Sequence, residues 1–65
     1  INETQMKIVE LMKQDNRITI PRIAESVGIA KRNVESNIAE LKKKGIVVRV
    51  GSRKNGQWEV IKDEI

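Results

Sequence analysis

Between Gly28 and Gly45 the sequence GIAKRNVESNIAELKKKG carries the side chains of a recognition surface rather than those of a reaction centre. Val34, Ile38 and Leu41 recur at i, i+4 and i+7, the single apolar stripe of a short amphipathic helix. That spacing puts Arg32, Ser36 and Lys43 on the opposite side, with Asn33 and Glu40 beside them. A guanidinium, an amide and a hydroxyl on one outward face form a set of hydrogen-bonding groups directed at a partner outside the chain. A second group of cations, Arg53 and Lys54, sits in Gly51–Gly56, a glycine-bounded loop free to follow an irregular anionic surface.

The rest of the composition excludes most alternatives. The 65 residues contain no Cys and no His, which removes disulfides, thiolate metal sites, the commonest metal ligand and the commonest general base. Ser26, Ser36 and Ser52 therefore lack an imidazole partner, and Gly45, Gly51 and Gly56 do not have phosphate-loop spacing. No metal, cofactor or enzymatic activity is expected. No apolar run is long enough for a membrane span, and the first residues do not read as a signal peptide, so no membrane partner is expected either. The chain begins at Ile1 rather than Met, and a domain excised from a longer protein, or a processed chain, is expected.

Charge is distributed unevenly. The net charge is +4, yet residues 1–30 hold four basic and four acidic side chains. Residues 31–58 hold eight basic residues against Glu35 and Glu40, and no acidic residue occurs from Lys42 through Trp58. A one-sided basic half is the electrostatic footprint of a polyanion binder.

These groups need elements to position them. A first helix, capped by Asn2 or Thr4 with Gln5 completing a weak capping box, runs to about Gln14 with Met6, Ile8, Val9, Leu11 and Met12 on its apolar side. Asp15-Asn16-Arg17 reads as a turn, and Ile18-Thr19-Ile20 as one brief strand. Pro21 suits the first turn of a second helix ending near Val27, and Gly28 permits the left-handed residue that closes it. The third helix starts near Ala30 or Lys31. Ala30 is a poor N-cap, costing about 1 kcal/mol against Ser or Thr, which Asn33 could partly offset. Lys42, Lys43 and Lys44 complement the helix dipole, and Gly45 ends the helix. Ile46–Val50 and Gln57–Lys62 then form a β-hairpin around the six-residue loop. Trp58, the single aromatic residue, is expected to face inward; Arg49 is expected to pair within the fold. Residues 1–62 make one domain, and residues 63–65 are expected to fray.

The order helix, short strand, helix, helix, strand, basic loop, strand resembles the winged helix-turn-helix domain. The resemblance is carried by residues 18–60, ITIPRIAESVGIAKRNVESNIAELKKKGIVVRVGSRKNGQWEV. The A-x-x-x-G-I pattern followed by V-x-x-x-I-x-x-L-K-x-K-G-I-V is similar to prokaryotic winged-helix transcriptional regulators. The hairpin RVGSRKNGQWEV is similar to the small C-terminal domain of regulators and helicase-like proteins with an ATPase-like or nucleic-acid-binding module upstream. The front portion resembles the leucine-responsive regulator family. The fold class implied is α+β, three helices with a small antiparallel sheet.

The same resemblance implies sequence-specific binding of double-stranded DNA in the cytoplasm, with the third helix in the major groove and the wing on the backbone. On that reading Arg32, Asn33 and Ser36 read bases, since Arg pairs bidentately with guanine and Asn with adenine. Lys31, Lys43, Arg53 and Lys54 hold phosphates. Asn37, closer to the core stripe, is expected to bond a neighbouring backbone group. Ala30, where the family has Ser or Thr, and Glu40, on the outer face, depart from the pattern. The alternative is a protein-interaction or dimerisation module of a larger regulatory or ATP-dependent protein. An apolar patch on the first helix from Met6, Leu11 or Met12 would favour it. A homodimer through that helix fits both readings.

Overall fold

The computed structural model describes residues 2–51 and 56–61. Arg53 and Lys54, expected at the wing tip, lie outside the described residues, as do Asp63, Glu64 and Ile65 at the end expected to fray. The described chain forms α1 (Glu3–Gln14), α2 (Ile20–Val27), α3 (Lys31–Lys43), β1 (Val47–Val50) and β2 (Gln57–Val60).

Local chemistry accounts for each helix boundary. Asn2 caps α1, its Oδ1 accepting the Gln5 backbone N–H at 2.8 Å. Thr19 caps α2 through a longer bond from the Arg22 N–H, and Pro21 occupies the first turn, where its missing donor costs nothing. Gly28 (φ 82°) closes α2 in the left-handed region. The Ile29 N–H then returns to the Ala24 carbonyl at 3.1 Å, leaving Ile29 packed on the core. Ala30 precedes α3 with extended backbone and no side-chain cap, as its residue type dictates. At the other end the Gly45 and Ile46 N–H groups return to the Lys42 and Leu41 carbonyls at 3.0 and 2.9 Å, with Gly45 at φ 74°. This double return satisfies carbonyls that the helix end would otherwise leave open.

β1 and β2 pair antiparallel in the register Val47↔Val60, Val48↔Glu59, Arg49↔Trp58 and Val50↔Gln57. The described pairing ends at Val50 and Gln57. The brief strand expected at Ile18–Ile20 is not formed. Thr19 caps a helix that already includes Ile20, which leaves too few extended residues for a ladder. Instead the segment before α2 is tied to β2 by two bonds from one residue. The Trp58 N–H donates to the Asn16 carbonyl at 2.6 Å, and its indole N–H donates to the Ile18 carbonyl at 2.9 Å.

The core is one cluster. Ile8, Val9 and Met12 from α1, Ile23 and Ala24 from α2, Val34, Ile38 and Leu41 from α3, and Val47 and Trp58 from the hairpin meet in it. Full burial of a branched side chain such as Ile8, Ile23 or Leu41 contributes about 1.5–3 kcal/mol. Trp58 faces this cluster at 6% exposure, as expected of the largest side chain in a small core.

Candidate nucleic-acid interface

With Val34, Ile38 and Leu41 committed to the core, α3 turns its opposite side outward. Lys31, Arg32, Asn33, Ser36 and Lys43 are all exposed. Arg32 and Ser36 are four residues apart and lie one above the other within the first two turns. Among the described residues, no hydrogen bond or ion pair uses the side chains of Arg32, Asn33 or Ser36. Their donors and acceptors are free for an external partner. Lys43 shares the line of Arg32 and Ser36 but sits about 16 Å beyond the first and about 10 Å beyond the second along the axis at about 1.5 Å per residue, so it addresses a different part of any ligand. Lys31 lies at the N-terminal end, toward the flank of the face.

Glu40 does not stand on this face as an unpaired anion. Its Oε2 accepts a hydrogen bond from the Gln5 Nε2 of α1 at 2.7 Å. The same Nε2 donates to the Asn37 Oδ1 at 3.1 Å, and the Asn37 Nδ2 donates to the Asn33 carbonyl at 2.7 Å. Glu40 remains an exposed carboxylate, and a buried amide draws it toward α1. Asn37 bonds neighbouring backbone, as its position beside the core stripe implies.

Gln5 is the residue that sequence reasoning misassigned. Its side chain does not reach back to cap α1; it is 1% exposed and spans to α3, with its Oε1 buried and without a hydrogen-bond partner. The signal was present in the spacing. Gln5, Ile8, Val9 and Met12 are the i, i+3, i+4, i+7 stripe of α1, with a polar residue in one of its four positions.

On the opposite flank, Trp58 underlies two cations. The Arg49 guanidinium lies 4.6 Å from the ring centroid and the Lys42 Nζ 5.7 Å. Arg49 is therefore paired within the fold by its charge over an aromatic ring, and among the described residues it makes no ion pair.

The apolar patch considered for α1 is not assembled. Met12 is 1% exposed and Leu11 is half-buried, while Met6 is exposed. Met6 and Leu11 are about 140° apart around the helix at about 100° per residue, so they do not form one surface.

A two-helix turn unit with its second helix exposed, followed by a two-stranded hairpin, defines a winged helix-turn-helix domain. The chain belongs to the winged helix-turn-helix DNA-binding family, whose profile matches residues 1–48. Among solved structures it is similar to a MarR family protein from Bacillus stearothermophilus, with a TM-score of 0.77 at 13% identity. That match covers 94% of this chain and 44% of the other, so the chain spans less than half the length of that relative. No curated protein matches the chain. Among the described residues, no helix is long and apolar enough to cross a membrane.

Proposed function

We propose that this domain reads double-stranded DNA sequence-specifically, as the DNA-binding domain of a prokaryotic transcriptional regulator. In this reading α3 enters the major groove with Arg32, Asn33 and Ser36 at base edges. Lys31 and Lys43 contact phosphates, and the wing, with Arg53 and Lys54 in its loop, lies along the backbone. The observation that supports it best is the exposed, internally unbonded set Arg32, Asn33 and Ser36 at the start of the second helix of the turn unit. N-terminal residues of a recognition helix are those that reach base edges.

The test is selection from a randomised duplex pool, followed by affinity measurements on the selected site. Arg32→Ala should weaken binding by about 1–3 kcal/mol and relax preference at one base pair. Lys31→Ala should weaken all sequences alike and lower the slope of log affinity against log salt by about 0.9. Absence of duplex binding even at low salt refutes the proposal.

A further inference from the structure

Beside the recognition face, three cations from three elements converge on one cleft. Arg17 comes from the turn before α2, Lys42 from the last turn of α3 and Arg49 from β1. Together with Ile18, Pro21 and Trp58 they line a space of about 390 Å³. Among the described residues no carboxylate lines it. The ion pairs Lys7–Glu3 and Lys13–Glu10 both lie on α1. Asp15, the acidic neighbour in sequence, accepts the Arg17 backbone N–H and so shapes the turn.

The donors of these side chains are unspent. The Arg49 guanidinium is held over the Trp58 ring by its charge, and the ring offers its N–H groups no oxygen acceptor. Among the described residues no hydrogen bond uses a side-chain donor of Arg17, Lys42 or Arg49. The N-terminus of α2 adds little, because Thr19 already takes the Arg22 N–H and Pro21 has none. Three like charges around one cleft repel each other, and an anion placed among them removes that cost. A planar carboxylate engages one guanidinium edge well. A phosphate presents tetrahedrally arranged oxygens and meets donors arriving from three directions.

We propose that Arg17, Lys42 and Arg49 around Trp58 form a single phosphate-binding site, separate from the base-reading face of α3. The phosphate belongs either to the backbone of a bound duplex or to a free phosphate group. For the duplex source the inference rests on the DNA-binding reading; for the free source it does not.

The experiment has two arms, each run on the wild-type chain and on a variant carrying Arg17→Gln, Lys42→Gln and Arg49→Gln. In the first, amide and indole N–H resonances are followed while sodium phosphate is added, against sodium chloride at equal ionic strength. In the second, affinity for a duplex is measured across salt concentrations. A site for one phosphate lowers the duplex salt slope by about 0.9 when all three cations are removed, whereas three separate contacts lower it by about 2.7. A fall near 0.9 supports the site and assigns a duplex phosphate. Phosphate-specific shifts at residues 17, 42, 49 and 58 that vanish in the variant, with the slope unchanged, support it and assign a free phosphate. A fall near 2.7, or no phosphate-specific shift together with an unchanged slope, overturns it. If the wild-type chain binds no duplex, the DNA reading fails by itself and the phosphate titration alone decides this proposal. Should the triple variant unfold, Arg17→Gln, which leaves both cations beside Trp58, is read differently: a slope that falls by less than about 0.9, or phosphate-specific shifts at residues 42, 49 and 58 that weaken, support the shared site, whereas a full fall of about 0.9 marks Arg17 as a separate contact and overturns it, as does no change in either.

Discussion

Replacing Gln5 by Glu tests the link between α1 and the exposed helix most directly. Gln5 Nε2 donates to the Asn37 Oδ1 and, at 2.7 Å, to the Glu40 carboxylate. Gln5→Glu keeps the shape, removes both donors and sets a carboxylate against a carboxylate. Two charges about 3 Å apart repel by about 5 kcal/mol at an effective dielectric of about 20. Glu40 is exposed and can swing into water, which relieves most of that term. What remains is a buried carboxylate deprived of one neutral and one charge-assisted hydrogen bond, a loss of about 3 kcal/mol.

Against a total stability of about 3–10 kcal/mol for a chain of this length, that loss removes between about a third and all of the stability at neutral pH. The sign of the pH dependence follows from burial, which raises the introduced carboxyl above its unfolded value of about 4.3. The destabilisation is therefore present at neutral pH. It fades as pH falls toward about 4.3, where the protonated carboxyl again offers a donor. Urea unfolding followed by Trp58 fluorescence at pH 7 and pH 5 measures both effects. Gln5→Met, which removes the donors and the unpartnered Oε1 together, should stay within about 1.5 kcal/mol of wild type. If Gln5→Glu also lies within about 1 kcal/mol at pH 7, the Gln5 side chain does not bridge the two helices as described.

Three further substitutions probe the frame. Ala30→Ser should stabilise by about 1 kcal/mol, because the backbone there is already extended and the cap bond is missing; thermal unfolding by circular dichroism reads it. Gly45→Ala should cost about 1 kcal/mol from the left-handed backbone alone, since an added Cβ meets nothing within 4 Å, and a urea midpoint shift at unchanged slope checks it. Trp58→Phe should cost about 2–3 kcal/mol by leaving the Ile18 carbonyl without its donor and the core underfilled, again measured by circular dichroism.

Helix boundaries, the hairpin and the inward Trp58 were legible in the sequence because their causes are local. Asn2, Thr19, Pro21, Gly28 and Gly45 act within four residues of themselves, and the stripes of α2 and α3 name the side that must be buried. The exposed set Arg32, Asn33 and Ser36 was legible for the same reason, being the complement of a stripe. The tertiary structure alone decided what depends on contacts between distant residues. Gln5 reads as a cap until α3 packs over it, 32 and 35 residues away, and takes its amide to Asn37 and Glu40. Glu40 reads as an obstacle on an isolated helix and becomes an anchored side chain only beside α1. Arg17, Lys42 and Arg49 share no periodicity, and they meet only because β2 brings Trp58 against the turn before α2. Short-range chemistry fixes which residues are helical and which side faces out; the partners of each polar group on that side are set by packing that no local pattern encodes.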